Sequence, residues 1–168
     1  VGGQDLADKK AAQALRGRIG IVFQYPEYQL FAATVYDDVA FGPRNLGLAP
    51  EEVDERVQRA LRDVQLDFEA LREKSPFELS GGQQRRVAFA GVLAMNPRIL
   101  VLDEPVAGLD PHAREEFLQL IANLHEGGLT VVMVSHSMDD LARYCDRILV
   151  LKEGEQFALG TPAEVFAD

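Results

Sequence analysis

The sequence predicts an α/β fold in which helices cover a parallel sheet. Short β-branched runs alternate with amphipathic helical patterns through the second half of the chain, and this alternation is typical of parallel sheets. The 168 residues, 47% of them hydrophobic, are enough for one domain with its own core. Each apolar run is far shorter than the roughly 20 residues that cross a bilayer, so we expect no membrane span in this sequence.

The first half of the chain has few predicted elements. A helix is expected near Lys9–Leu15, a buried strand at Ile19–Phe23, a polar and aromatic loop at Tyr25–Thr34, and an acidic helix at Glu51–Val64. Four residues of the acidic helix lie on its apolar side: Val53, Val57, Leu61 and Val64.

The second half supplies most of the predicted sheet. Strands are expected at Arg98–Leu102, Leu129–Val134 and Arg147–Leu151, with helices at His112–Leu124 and Met138–Tyr144 between them. The segment GEQFALGTPAEVF predicts a last strand followed by a short helix, which Thr161 caps and Pro162 begins.

Charge and cysteine content exclude several functions. The net charge of −10 would repel a phosphate backbone, so nucleic acid is not an expected partner. The single cysteine, Cys145, forms no internal disulfide, which fits a cytosolic protein.

The segment LSGGQ, at Leu79–Gln83, stands directly before an unbroken helical run. Backbone N–H groups, the Ser80 hydroxyl and the positive end of the helix dipole therefore meet at one point, as in sites that bind phosphate. Gly81 and Gly82 allow close approach of a ligand to the backbone. An ordinary helix cap with a flexible Gly-Gly pair is the alternative interpretation of the bare Ser-Gly-Gly.

The segment ILVLDEP predicts a buried strand with two carboxylates at its carboxyl end, where ligands bind in open parallel sheets. Asp103 is placed to hold Mg²⁺, since hard cations prefer oxygen ligands. Glu104 is placed to polarise an attacking water molecule.

Three further polar residues follow predicted strands or turns. Gln24 ends the run IGIVFQ and offers an amide oxygen to Mg²⁺. His136 follows VVMVS and can donate a hydrogen bond to a γ-phosphate. Asp110, in AGLDP, is expected both to cap the next helix and to connect the site with a neighbouring subunit.

The order Gln24, LSGGQ, ILVLDEP, AGLDP and SH resembles the ATP-binding-cassette ATPase domain over essentially the whole chain. The stretches VFQYPEYQLFAATVYDDVAFGPRNLG and LGTPAEVF further resemble ATPase subunits of energy-coupling-factor transporters, which import vitamins or cobalt and nickel ions. The resemblance implies a P-loop NTPase-type parallel sheet flanked by helices. It divides a single, partial domain into an α/β core at 1–34 and 96–168 and a helical subdomain, with LSGGQ, at 35–95.

The resemblance also implies a role for each motif. Glu104 would be the catalytic base, His136 the switch histidine and Asp103 the Walker B aspartate, with Asp103 and Gln24 as ligands of Mg²⁺. The residues that would contact ATP are Gln24, Ser80, Gly81, Gly82, Gln83 and Asp110.

The implied assembly is a head-to-tail dimer with a second, identical or different, ATPase subunit. It would bind an integral membrane subunit through Tyr25–Phe31, peripherally at the cytoplasmic face of the membrane. The sequence has no G-x-x-x-x-G-K-[ST] motif, so the amino-terminal strands and P-loop of the family are expected to be missing and this fragment alone to be inactive. Alternative functions are those of a non-transport cassette ATPase, in DNA repair or translation, and of a docking module without hydrolysis.

Overall fold

Two separate β-sheets organise the chain. The computed structural model describes residues 7, 12, 15 and 17–167, which divide after Met133 into two compact units. Apart from Ala12 and Leu15, the helix expected near Lys9–Leu15 lies outside the described residues. Among the residues that the structure describes, no helix has both the length and the apolar character needed to cross a bilayer.

The sheet that begins in the first unit has three strands. They are β1 (Ile19–Val22), β2 (Ile99–Asp103) and β3 (Thr130–Val134), with β2 in the centre. Strands β1 and β2 are parallel, and Val22 lies opposite Leu102 in the register. The three strands predicted here are therefore confirmed, each within about one residue at either end.

Four helices and two 3-10 turns lie between β1 and β2. The helices are α1 (Val35–Asn45), α2 (Pro50–Asp63), α3 (Phe68–Leu71) and α4 (Gly81–Leu93), and the 3-10 turns are Pro26–Gln29 and Pro76–Glu78. The sequence predicts α2 and α4 but not α1. Helix α1 begins at Thr34, whose side chain accepts a hydrogen bond from the backbone N–H of Asp37 at 3.1 Å.

Helix α4 is packed between β1 and the other helices. It contacts β1 at Gly20, where an added Cβ would lie only 2.6 Å from a methyl group of Val92. On its other sides α4 packs against α1 and α2. The predicted apolar side of α2 is confirmed, because the four residues assigned to that side are all buried: Val53, Val57, Leu61 and Val64.

Helix α5 (Pro111–Glu126) follows β2 and joins this core. Its Phe117 ring lies 5.2 Å from the ring of Phe89 in α4, centroid to centroid, and both side chains are buried. Leu120 and Ile121 are also buried, whereas Leu124 on the same side of the helix is half-buried.

The second unit contains α6 (Met138–Tyr144), β4 (Ile148–Lys152), β5 (Glu155–Gly160) and α7 (Pro162–Val165). Strands β4 and β5 form an antiparallel hairpin, so the prediction that the strand at Arg147–Leu151 belongs to the parallel sheet is wrong. The reason is local, because Glu153 and Gly154 both adopt positive φ, the backbone that a two-residue hairpin turn requires.

The contact between α4 and α5 gives a stability prediction. Replacing Phe89 with alanine removes a ring that is 0% exposed, so the free energy of unfolding should fall, by about 3–5 kcal/mol for such a change. Urea unfolding of the purified protein followed by circular dichroism measures this loss. Phe77→Ala, at a ring that is 60% exposed, is the control and should change it by less than about 0.5 kcal/mol; equal effects of the two changes would contradict the assigned core.

Candidate functional site

The parallel pairing of β1 and β2 brings three of the predicted site residues to one edge of the sheet. Gln24 lies two residues beyond Val22, and Asp103 follows Leu102, the residue that pairs with Val22. Gln24 and Asp103 are exposed at this edge, and Glu104 is half-buried. Asp103 and Gln24 supply oxygen atoms of the kind that Mg²⁺ binds alongside water and substrate phosphates.

Glu104 has a backbone that side-chain-bearing residues rarely adopt. Its φ is +46°, in the left-handed region, which costs roughly 1–2 kcal/mol for a residue with a Cβ. A turn follows at once, in which the N–H of Ala107 donates to the carbonyl of Glu104 at 3.1 Å. Such a conformation persists only where neighbouring groups hold it.

Asp110 caps helix α5, as the sequence predicts. One of its carboxylate oxygens accepts hydrogen bonds from the backbone N–H groups of Ala113 and His112, each at 3.0 Å. These hydrogen bonds, that of Ala113 first, hold the pKa of Asp110 below its usual value. The carboxylate is therefore oriented from within its own helix.

LSGGQ forms the start of α4. The Ser80 hydroxyl accepts from the backbone N–H of Gln83 at 3.3 Å, and the Gln83 side chain accepts from the backbone N–H of Ser80 at 3.2 Å. This reciprocal pair is a capping box, so the capping interpretation of Ser80 is confirmed. A Cβ added at Gly81 or Gly82 would meet nothing within 4 Å, so packing among the residues that the structure describes does not require glycine at either position.

A cavity of about 320 Å³ lies beside LSGGQ. Ser80, Gly82 and Gln83 line one side of it, and Ala113 and Glu116 of α5 line another. Three of the predicted ATP-contacting residues thus share one open surface.

Arg85, one turn into α4, is not among the residues that the sequence predicts for the site. Within the described part of the chain it is a buried charged residue, 3% exposed as a whole and 4% exposed over its side chain. The guanidinium donates to both carboxylate oxygens of Glu27, at 2.8 and 3.0 Å. It also donates to the backbone carbonyls of Pro105 and Ala107, at 3.3 and 2.9 Å.

Glu27 belongs to the 3-10 turn that follows Gln24. Burial pushes the pKa of Glu27 upward, but the hydrogen bonds from Arg85, a backbone hydrogen bond and the charge of Arg85 outweigh burial and leave the pKa below its usual value of 4.5. The same segment reaches the turn after Glu104 a second time, because the Tyr25 ring lies 3.1 Å from the position that a Cβ on Gly108 would occupy.

His136 lies two residues after β3, in the second unit, and its side chain is exposed. Its role as a switch histidine stays a prediction. Within the part of the chain that the structure describes, no group of three or more histidine, cysteine or acidic side chains is arranged to hold a metal ion.

Comparison with models of protein families shows which family this chain belongs to. The family model described as "ABC transporter" matches residues 1–107, which include Gln24, LSGGQ, Asp103 and Glu104. The chain belongs to the ABC transporter family. The positions of Asp110 and His136 lie beyond the matched range.

Two proteins of this family are similar to this chain along almost its whole length. The chain is 58% identical over 168 residues to the energy-coupling factor transporter ATP-binding protein EcfA2 of Symbiobacterium thermophilum, covering 99% of this chain and 58% of that protein. It is 53% identical over 170 residues to EcfA2 of Clostridium perfringens, covering 100% of this chain and 60% of that protein. The chain therefore spans somewhat less than two thirds of the length of these relatives.

Two solved structures share the fold. One is cbiO1 from Clostridium perfringens, part of the ABC transporter complex cbiONQ, with 44% identity, a TM-score of 0.85, and coverage of 95% of this chain and 63% of that chain. The other is the ATP-binding cassette MJ0796 in a dimeric post-hydrolysis state bound to ADP and Pi, with 34% identity, a TM-score of 0.73, and coverage of 95% and 68%. Both confirm the α/β fold class.

The lowered pKa of Glu27 predicts a pH-dependent stability. A carboxylate whose folded-state pKa lies below its unfolded value stabilises the fold above the unfolded value, and this stabilisation is lost as the pH falls through the folded pKa. The wild type should therefore have a higher melting temperature than Glu27→Gln near neutral pH, and the difference should shrink below about pH 4.5. Thermal melts across this range measure it, and Glu51→Gln, at an exposed glutamate, is the control. A difference independent of pH would contradict the ion pair.

Proposed function

We propose that the full-length protein is the ATPase subunit of an energy-coupling-factor transporter, where it hydrolyses ATP to drive import of a vitamin or a transition-metal ion. The observation that carries the proposal is the shared sheet edge, where β1 and β2 present Gln24, Asp103 and Glu104 together. The names of the curated relatives support the transporter type. The proposal concerns the full-length protein, because these residues contain no G-x-x-x-x-G-K-[ST] motif.

Glu104 is the proposed general base. A carboxylate at the carboxyl end of a buried strand, held by the backbone of a tight turn, is suited to orient a water molecule and accept its proton. Asp103 and Gln24 would hold Mg²⁺, which neutralises charge on the phosphates when it is bound. Water and phosphate oxygens would contribute further ligands.

LSGGQ is proposed to contact ATP that a partner subunit holds. Gly81 and Gly82 are exposed, and within the described part of the chain no atom lies within 4 Å of a Cβ added to either. Their lack of a side chain would therefore serve a ligand that approaches from outside. The N–H groups at the start of α4 suit an anion. The dimeric, ADP- and Pi-bound state of the similar cassette supports a second ATPase subunit, identical or different, as the partner.

An aromatic patch is the proposed contact with the integral membrane subunit. It consists of Tyr28, Phe31 and Phe41, whose side chains are 83%, 59% and 50% exposed. The Phe31 and Phe41 rings meet edge to face at 4.9 Å, and Asp38 accepts hydrogen bonds from the backbone N–H groups of Phe31 and Ala32. An exposed aromatic surface of this kind is typical of a protein interface. Contact with the membrane subunit through this surface would hold the protein peripherally at the cytoplasmic face of the membrane.

The catalytic assignment predicts the behaviour of Glu104→Gln. This change should leave ATP binding intact and lower kcat by about 100-fold or more, because the attacking water loses its base. Phosphate release and equilibrium nucleotide binding by the full-length protein measure the two effects. Glu153→Gln is the matched control, since Glu153 also has a positive φ, +53°, but lies in the β4–β5 turn. Hydrolysis by Glu104→Gln at the wild-type rate would refute the assignment.

The aromatic patch predicts loss of complex formation when it is made polar. Tyr28→Ser removes the most exposed ring of the patch, at 83%, and should reduce co-purification with the membrane subunit without lowering the melting temperature. Phe77→Ser, at another exposed ring, is the control and should co-purify as the wild type does. Unchanged association of Tyr28→Ser together with Phe31→Ser would exclude this surface.

A further inference from the structure

We propose that Arg85 is a positioning residue for Glu104, and that Glu27 holds Arg85 in the orientation this requires. The inference rests on the proposed role of Glu104 as the general base. It assigns a function to the ion pair of Glu27 and Arg85, neither of which is among the predicted site residues.

Arg85 donates hydrogen bonds to the turn that follows Glu104. One guanidinium nitrogen, Nη1, donates to the carbonyls of Pro105 and Ala107, at 3.3 and 2.9 Å. These carbonyls belong to the first and third residues after Glu104. The N–H of Ala107 in turn donates to the carbonyl of Glu104 itself, so one group fixes both ends of the turn that begins at the base.

The backbone at Glu104 is strained. Its φ of +46° is unfavourable for a residue with a side chain, and the backbone would relax if the following turn were free to move. Relaxation would change the direction in which the carboxylate leaves the chain. Two hydrogen bonds from a charged donor to the turn, each stronger than a neutral one, oppose that relaxation.

Glu27 fixes the orientation of the Arg85 guanidinium. Glu27 binds it in the forked geometry, with Nε and Nη2 on its two carboxylate oxygens at 3.0 and 2.8 Å. Because the guanidinium is planar, this pairing sets the plane in which Nη1 points at the turn. The pair is buried, with Arg85 at 4% and Glu27 at 16% side-chain exposure, so water cannot replace a lost partner cheaply.

The pair of Glu27 and Arg85 is also connected to the aromatic patch through the chain that carries Glu27. Glu27 is in the 3-10 turn Pro26–Gln29, which follows Gln24 and leads to the aromatic patch. A shift of this segment would therefore move Arg85 and, through it, the turn after Glu104. The Arg85 pair would let a partner bound at the patch change the rate of hydrolysis.

A double-mutant cycle with Glu104 separates positioning from structural support. In the wild-type background, Arg85→Gln in the full-length protein should lower the single-turnover rate of ATP hydrolysis about tenfold and change the ATP dissociation constant by less than about twofold. In the Glu104→Gln background the same change should lower the residual rate by less than about twofold, since the base through which Arg85 acts is absent. Radiolabelled ATP allows the residual rates to be followed over hours.

Arg56→Gln is the matched control. Arg56 of α2 is partly buried, at 18% side-chain exposure. It pairs with Glu52 at 2.7 Å and donates to the carbonyl of Met95 at 3.2 Å, and neither partner belongs to the turn after Glu104. This change should lower the melting temperature and leave the hydrolysis rate as in the wild type. An equal loss of rate in Arg56→Gln and Arg85→Gln would assign the effect to general destabilisation and overturn the proposal.

Two further variants keep the test decisive if Arg85→Gln does not fold. Glu27→Gln retains one acceptor and should lower the rate about threefold in the wild-type background only. Arg85→Lys keeps the charge but not the fork, so a wild-type rate in this variant would overturn positioning by the planar group. A rate loss of the same factor with and without Glu104 would also overturn it. Absence of ATP hydrolysis in the wild type, by contrast, would refute the proposed function itself.

Discussion

A buried charge has to be compensated by groups that contact it, and in the described part of this chain the buried charge is that of Arg85. Its guanidinium joins α4 to the segment after β1 through Glu27 and to the segment after β2 through Pro105 and Ala107. These three parts are far apart in the sequence, and removing any of them would leave buried hydrogen-bonding groups without partners. The neighbouring Arg86 turns to another side of the same helix, where it pairs with Glu116 and donates to the carbonyl of Val64. Two consecutive arginines therefore tie α4 both to the segments that follow β1 and β2 and to the helices beside it.

The local features of the fold could be predicted because each has a local cause. The three strands of the parallel sheet follow from short β-branched runs, and the caps at Ser80, Asp110 and Thr161 follow from side chains that bind the next backbone N–H groups. Helix α1 could not be predicted in the same way, because Gly42 and Pro43 are poor helix formers and only Thr34 with Asp37 announces its start. The hairpin of β4 and β5 depends on Glu153, a residue that rarely adopts positive φ.

Pairs that are distant in sequence are a different matter. Glu27 and Arg85 are 58 residues apart, and no pattern in the sequence indicates that they form a pair. The motif residues Gln24, Asp103 and Glu104 could be placed on one edge in advance only because parallel strands align their carboxyl ends. The backbone strain at Glu104 and the group that opposes it become visible only when the turn is seen with its neighbours. Sequence patterns thus indicate which side chains are candidates for the chemistry, and three-dimensional packing shows which other side chains contact the segments that carry them.

The fork between Glu27 and Arg85 also limits how this protein can be recombined with its relatives. The segment that carries the exposed aromatic side chains is short and looks like a portable loop, yet its glutamate is one half of a buried pair whose other half belongs to a separate helix. A loop grafted from a relative with a different residue at that place would bury the arginine without its counter-charge. The exchangeable module is therefore discontinuous, and designs that retarget the aromatic segment must transplant position 85 together with it.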